Sequence, residues 1–279
     1  MSTRDGVLDA TTTRPEVKLA FRDVAMIYQA DGGPVTALKD VNFDVRAREF
    51  LCVVGSSGGG KSTLLHIAAG LVRQTSGEVL LDGHPVRGAG ADRAMVFQDD
   101  AVFPWLRVHQ NVEYGLKAQG LPKKQRCDRV EKMLALVGLR DWRLMYPRQL
   151  SGGMRKRVDI ARAFAGRADV VLMDEPFGGL DTVTRASLQE EVLRIWDTER
   201  KTIVFVTHDL EEAVFLADRI VLLRPSHPPL IYDNDLPRPR TDELRTSRDL
   251  QDRRRELSRL MLQAPDPDRS SHGPSHHEH

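Results

Sequence analysis

The strongest constraint on the fold is a glycine-rich loop that joins a predicted apolar strand to a predicted helix. The strand covers Phe50–Val54, and the helix starts at Lys61 and continues to Ala69. Between them, Gly55 to Ser62 fits the pattern Gly-x4-Gly-Lys-Ser, whose glycines let backbone N–H groups converge on phosphate oxygens. The amino end of the helix adds a favourable partial charge. The sequence therefore predicts a phosphate-binding P-loop in an α/β fold.

The residues of this loop have distinct predicted roles, with ATP and Mg²⁺ as the expected cofactors. Lys61 is expected to reach the β- and γ-phosphates, the Ser62 hydroxyl to bind Mg²⁺, and Thr63 to add a phosphate contact. A glycine turn that only connects a strand to a helix is the alternative, which the Lys-Ser pair in this context disfavours. The other residues of the predicted cradle are Gly55, Ser56, Ser57, Gly58, Gly59 and Gly60.

Composition excludes several other classes of protein. The 279 residues include 41 Lys and Arg against 40 Asp and Glu, so net charge gives no general attraction to nucleic acid or to membranes. No apolar run approaches the roughly 20 residues that span a bilayer. The polar N-terminus lacks the apolar stretch of a signal peptide, and two cysteines make no disulfide framework. We therefore expect a cytosolic location.

The remaining strand and helix patterns predict three structural parts. β-rich runs after Val17 indicate an antiparallel β subdomain, and apolar strands that alternate with helices indicate a mostly parallel sheet. We expect one domain over residues 17–232, with an α/β core at 17–98 and 167–232 and an inserted helical subdomain at 99–166. Residues 1–16 are expected to form a flexible leader. Residues 233–279 are expected to form a short tail with one weak amphipathic helix, disordered from Ala264 onward. The predicted later strands are Glu78–Leu81, Ala94–Phe97, Val170–Met173, Ile203–Val206 and Ile220–Leu223, and the predicted helices of the insertion are Lys124–Val137 and Arg155–Phe164.

Polar residues follow three of the predicted strands. Asp174 ends an apolar strand, where it can hold Mg²⁺ through a water, and the adjacent Glu175 can orient the water that attacks the γ-phosphate. His208 can contact the γ-phosphate or position that water, and Gln98 can contact both Mg²⁺ and the water. A structural strand cap and a structural histidine are the alternatives. Beside the P-loop, the catalytic interpretation is favoured.

A second glycine-rich turn, LSGGM at Leu150–Met154, has no evident role within its own subunit. With the P-loop, Gln98, the acidic pair and His208 in this order, the chain resembles the nucleotide-binding subunit of an ABC transporter. The resemblance covers roughly residues 17–232 and implies a P-loop NTPase (RecA-like) core. It also implies that two subunits, expected to be a homodimer, close over nucleotide together.

The resemblance assigns further residues. Ser151, Gly152 and Gly153 would bind nucleotide held by the partner subunit, and Asp181 would lie at the dimer seam. Tyr28 would stack on adenine, with a half-buried strand residue as the alternative.

The chain departs from the family pattern at two positions. Met154 replaces the usual glutamine of the second turn, and Gly59 replaces a serine or cysteine of the P-loop. Neither change affects the cradle, the metal ligands or Glu175, so we expect hydrolysis to be retained.

The arrangement resembles importers built from separate subunits, most of all the nitrate, sulfonate and taurine uptake group. This implies permease subunits as direct partners, an extracytoplasmic solute-binding protein as an indirect one, and a peripheral position on the cytoplasmic face of the inner membrane. Phe103, Pro104 and Trp105 either receive a permease helix or form a small core cluster. Export of lipids or drugs, and a soluble ABC ATPase acting on nucleic acid or ribosomes, remain the alternative functions.

Overall fold

The computed structural model describes residues 16–224 and 227–262. Residues 1–15 of the predicted leader and the predicted disordered stretch from Ala264 lie outside the described residues. The strands are β1 (Val17–Ala30), β2 (Gly33–Arg46), β3 (Phe50–Val54), β4 (Ser76–Leu81), β5 (His84–Pro85), β6 (Arg93–Val96), β7 (Val170–Asp174), β8 (Thr202–Thr207), β9 (Arg219–Leu222) and β10 (Leu230–Asp233). The helices are α1 (Lys61–Ala69), α2 (Val108–Ala118), α3 (Lys123–Leu136), α4 (Gly152–Ala165), α5 (Thr182–Glu199), α6 (Leu210–Leu216), α7 (Asp242–Arg245) and α8 (Arg248–Leu262).

The larger sheet has the strand order β10-β9-β3-β8-β7-β6. Its strands are parallel except β10, which pairs antiparallel with β9. Every residue of β3, β7 and β8 is buried, because both faces of these apolar strands are covered. The carboxyl ends of parallel strands lie at one edge of a sheet, so the residues after Val54, Met173 and Thr207 meet there.

The smaller sheet is antiparallel, with the strand order β2-β1-β4-β5. The rings of Phe21 and Phe43 stack within it at a centroid separation of 4.4 Å. Its buried side chains share one hydrophobic cluster with α1 and with one face of β3, β7 and β8. The antiparallel sheet therefore packs against α1, the helix that follows the P-loop.

Helices α2, α3 and α4 lie between β6 and β7 in the chain and pack against one another. The predicted mostly parallel sheet, antiparallel β part and helical part are all confirmed. Helix α4 starts at Gly152, earlier than the predicted Arg155, because the Ser151 hydroxyl accepts a hydrogen bond from the Met154 N–H and caps the helix there.

Between β10 and residue 262 the chain forms two helices, so the prediction of one amphipathic helix there is wrong in number. The Ser247 hydroxyl accepts a hydrogen bond from the Leu250 N–H at 3.2 Å, which starts a new helix after the short α7. Leu250 and Leu257 are fully buried in the main hydrophobic cluster. The C-terminal helix α8 thus packs against the α/β core, in contact with α6.

Candidate functional site

The P-loop lies between the end of β3 and the start of α1. Gly58 and Gly60 adopt φ values of +77° and +81°, which favour glycine over every other residue. At Gly60 a Cβ atom would lie only 2.3 Å from the Ala37 carbonyl oxygen in β2. The loop backbone therefore approaches β2 so closely that only glycine fits at this position.

Lys61 brings a buried cation to the loop. Its ammonium donates hydrogen bonds to the carbonyl oxygens of Gly55 at 3.1 Å and Ser56 at 3.0 Å. It also lies 3.6 Å from a Glu175 carboxylate oxygen. The side chain is only 5% exposed, so its charge acts with little screening by water. This is the environment in which a cation attracts a phosphate most strongly.

The oxygen donors for a metal meet beside the loop. The Ser62 hydroxyl donates a hydrogen bond to Asp174 Oδ1 at 3.0 Å, across the gap between α1 and β7. Burial raises the pKa of the Asp174 carboxyl above its ordinary value, and the hydrogen bond from Ser62 partly offsets this. A hydroxyl and a carboxylate are hard oxygen ligands, which fit Mg²⁺.

Sequence reasoning did not single out His66. Its Nε2 lies 3.8 Å from Asp174 Oδ2. His66 follows Ser62 by four residues on α1, so both side chains occupy one face of the helix. The four-residue spacing from Ser62 is the sequence signal that places His66 beside the metal ligands.

Glu175 lies at the centre of the site. Its φ of +38° is unusual for a residue with a side chain. Two backbone hydrogen bonds hold it there, because its N–H donates to the Val206 carbonyl and its own carbonyl accepts from the Gly178 N–H, both at 3.0 Å. One carboxylate oxygen lies 2.9 Å from His208 Nδ1, and the other faces Lys61.

Tyr28 and Gln98 lie beside the P-loop and the loop after Glu175, respectively. The Tyr28 hydroxyl lies 3.4 Å from the Thr63 hydroxyl, and the ring is 40% exposed. Gln98, which follows β6, extends its side-chain amide toward Gly178 in the loop after Glu175. The structure thus brings together the P-loop, Asp174, Glu175, His208, Tyr28 and Gln98.

The second glycine-rich turn belongs to another group of residues. Ser151 caps α4, and a Cβ atom at Gly153 would lie 2.7 Å from Thr184 Cγ2 in the first turn of α5. Asp181 caps α5 by accepting a hydrogen bond from the Thr184 N–H at 3.0 Å, which lowers the pKa of its carboxyl. Ser151, Gly152, Gly153 and Asp181 therefore lie around the amino ends of α4 and α5.

The sequence matches the ABC transporter family over residues 38–178. The chain belongs to this family. Its members' ATP-binding subunits are ATPases, and this chain is one of them.

Similar proteins include an uncharacterized ABC transporter ATP-binding protein of Methanocaldococcus jannaschii. It is 46% identical over 250 residues, covering 89% of this chain and 92% of that protein. A nitrate import ATP-binding protein of Synechocystis is 49% identical over 205 residues, covering 74% of this chain and 77% of that protein. A taurine import ATP-binding protein of Roseobacter denitrificans is 44% identical over 208 residues, covering 74% and 78% respectively.

Among solved structures, the chain is similar to an ATP-binding cassette whose structure is a dimer in a post-hydrolysis state, bound to ADP and Pi. The TM-score is 0.68 at 30% identity, covering 77% of this chain and 98% of that chain. The ABC ATPase fold and nucleotide binding follow from these similarities. Across residues 16–224 and 227–262, no helix combines the length and the hydropathy needed to cross a bilayer.

Proposed function

We propose that this chain is the ATP-hydrolysing subunit of an importer and that two copies enclose two MgATP between them. The observation that carries the proposal is the division of the predicted residues into two groups. One group surrounds the P-loop, and the other surrounds the amino ends of α4 and α5. A dimer in which the two chains face each other supplies both groups to each nucleotide.

The first group suits a magnesium triphosphate. The backbone of the P-loop and the Lys61 ammonium bind the phosphates, and Lys61 exchanges its loop carbonyl partners for phosphate oxygens. Ser62 and Asp174 hold the metal, with Gln98 as a further oxygen ligand. When bound, Mg²⁺ neutralises charge on the β- and γ-phosphates.

Glu175 serves as the group that orients and polarises the attacking water. Its two backbone hydrogen bonds hold the backbone at the positive φ, and His208 and Lys61 contact its two carboxylate oxygens, so the position is set before substrate binds. His208 lies 2.9 Å from one carboxylate oxygen, and the other, which faces Lys61 at 3.6 Å, accepts a proton from water once Lys61 has turned to the phosphates.

The second group recognises the γ-phosphate of the partner's nucleotide. Helix α4 has 14 residues, and its amino end carries exposed Ser151 beside Gly152 and Gly153. Aligned peptide dipoles and free N–H groups make such an end attractive to an anion. Asp181 lies beside this turn and links the two sites across the dimer.

Hydrolysis by matched carboxylate variants tests the assignment of Glu175. We expect Glu175→Gln to bind MgATP normally and to lower kcat by at least a hundredfold, because the amide cannot accept a proton. Glu211→Gln, which removes a carboxylate three residues after His208, is the control and should keep kcat within twofold. Unchanged turnover in Glu175→Gln, measured by phosphate release, would remove Glu175 from this role.

The solute class is proposed from the relatives. The import ATP-binding proteins of nitrate and taurine systems support an importer of the nitrate, sulfonate and taurine class. In that assembly the chain binds permease subunits at the cytoplasmic face of the inner membrane. It acts on an extracytoplasmic solute-binding protein only indirectly and has no nucleic acid partner.

An aromatic patch on the helical part is the proposed permease contact. The patch consists of Phe103, Trp105 and Tyr114, whose rings contact one another with Phe103 in the middle, at centroid separations of 5.6 and 4.6 Å. Trp105 is 70% exposed, which disfavours the alternative of a core cluster. Buried Asn111 shapes the loop by bonding both the N–H and the carbonyl of Phe103.

Replacement of Trp105 tests this contact. We expect Trp105→Ala to keep soluble ATPase activity and to lose co-purification with the permease subunits. The control is Leu71→Ala, which truncates an exposed apolar side chain just after α1. Permease binding that survives Trp105→Ala, or that Leu71→Ala abolishes equally, would contradict the proposal.

A further inference from the structure

Helix α4 carries a buried lysine whose partners are all carbonyl oxygens of one short segment. The Lys156 ammonium donates to the carbonyls of Phe97 and Gln98, both at 3.0 Å, and approaches that of Asp99 at 3.5 Å. The side chain is only 3% exposed. A buried cation is costly unless fully hydrogen-bonded, so the three carbonyls and the lysine depend on one another.

We call residues 97–101 the Gln98 segment. Side chains of α4 also bond the residues of this segment that follow Asp99. Arg155 Nε donates to an Asp100 carboxylate oxygen at 2.6 Å, and Arg162 donates to the Ala101 carbonyl at 2.7 Å. Arg162 is itself fixed by fully buried Asp159 at 2.5 Å. The backbone of the Gln98 segment therefore has few ways to move independently of α4.

Helix α4 also presents the second glycine-rich turn at its amino end. Lys156 lies five residues after Ser151, a distance of less than two helical turns. One helix therefore joins that turn to the backbone of Gln98, because Lys156 is bonded to the Gln98 carbonyl.

We propose that Lys156 is a positioning residue that makes the placement of the Gln98 side chain depend on the position of α4. In this arrangement the Lys156 ammonium holds the backbone at Phe97 and Gln98 against α4, and its loss leaves the Gln98 side chain without a fixed position for the metal and the attacking water. The inference rests on the proposed role of Gln98. It assigns Lys156 no contact with ATP.

The protein offers a matched control for the loss of a buried lysine. Lys201 is also buried, and its ammonium donates to the Gly166 carbonyl at 2.7 Å and to the Ala168 carbonyl. These carbonyls follow the carboxyl end of α4, at the opposite end from Ser151. Lys201→Met therefore leaves buried carbonyls without their hydrogen-bond donor, as Lys156→Met does. It does not affect the Gln98 segment.

Steady-state ATP hydrolysis by full-length variants tests the proposal. For Lys156→Met we expect kcat to fall at least tenfold, KM for ATP to stay within about twofold, and the Mg²⁺ concentration for half-maximal rate to rise. Lys156→Arg, which keeps a cation with several N–H donors, should recover at least half of kcat. Lys201→Met should lower thermal stability comparably and keep both kcat and the Mg²⁺ dependence.

Amide hydrogen exchange supplies a second measurement on the same variants. We expect peptides that contain residues 97–101 to exchange faster in Lys156→Met than in Lys201→Met. If Lys156→Met fails to fold, Lys156→Arg and Lys156→Gln are compared in its place. A Lys156 variant set with unchanged kcat, or an equal loss in Lys201→Met, overturns the proposal.

Gln98→Ala separates failure of this inference from failure of the proposed function. If Gln98→Ala lowers kcat and Lys156→Met does not, the positioning role is wrong and the role of Gln98 stands. If Gln98→Ala leaves kcat and the Mg²⁺ dependence unchanged, the proposed role of Gln98 is itself wrong, and the positioning role fails with it.

Discussion

Gly60→Ala is expected to destabilise the protein severely through one close approach. Gly60 is the last glycine before Lys61, and its Cβ position lies 2.3 Å from the Ala37 carbonyl oxygen and 2.7 Å from Leu38 Cδ2. The leucine can move its methyl group, but the carbonyl belongs to the backbone of β2. Either the P-loop or the strand must therefore shift to admit alanine.

Comparison with Gly58 gives the size of the expected loss in the free energy of unfolding. Both glycines have a positive φ, so alanine at either position costs about 1–2 kcal/mol of backbone strain. At Gly58 no atom lies within 4 Å of the Cβ position. At Gly60 the overlap adds about 2 kcal/mol, the cost of forcing an extra methyl group into a packed site. We expect a loss of about 1.5 kcal/mol for Gly58→Ala and about 3.5 kcal/mol for Gly60→Ala.

Urea denaturation without nucleotide measures the difference in the free energy of unfolding between the two variants, and thermal unfolding measures it as a melting temperature. The extra 2 kcal/mol in Gly60→Ala corresponds to a melting temperature about 4–8 °C below that of Gly58→Ala for a chain of this size. Because both variants alter the P-loop, the comparison isolates the overlap with β2 from backbone strain. Equal stability of the two variants would refute the reasoning.

Three further changes have defined outcomes. Tyr28→Ala should weaken ATP binding about tenfold, the loss of roughly 1.4 kcal/mol of stacking, whereas Tyr28→Phe should bind within twofold of wild type by fluorescence titration. Asn111→Ala should cost about 2 kcal/mol in thermal unfolding, because it removes the side-chain bonds to the Phe103 N–H and to the carbonyls of Phe103 and Leu106. Burial raises the pKa of the Glu212 carboxyl, so ionising this group costs more free energy in the folded than in the unfolded protein. The folded protein therefore loses stability as pH rises from about 4.5, the ordinary pKa, through the raised pKa. Glu212→Gln should therefore exceed wild type in stability at pH 7 and lose that advantage below pH 4.5, measured by urea denaturation at both pH values.

Much of the fold and of the candidate site was predictable from the sequence because the relevant signals are local. The P-loop is a strand, a loop and a helix within twenty residues, and α1 begins and ends as predicted, at Lys61 and Ala69. The buried strands β3, β7 and β8 are continuous apolar runs, so their bounds were predicted within one residue. Polar residues just after such strands then lie at the same edge of the sheet.

Other features depend on contacts between distant parts of the chain. The break between α7 and α8 requires the Ser247 cap, and a single serine in a charged segment is a weak signal. The burial of Lys156 has no local signal in the sequence, since it depends on a segment almost sixty residues away. The backbone conformation of Glu175 likewise depends on Val206 in a neighbouring strand.

Light scattering of Glu175→Gln with saturating MgATP tests the two-chain site most directly. The account predicts a stable dimer with two nucleotides bound, which reverts to monomer when Ser151→Arg is added, because Ser151 is proposed to contact the nucleotide held by the other chain. A Glu175→Gln protein that binds MgATP fully and stays monomeric, even with its permease subunits present, would contradict the account.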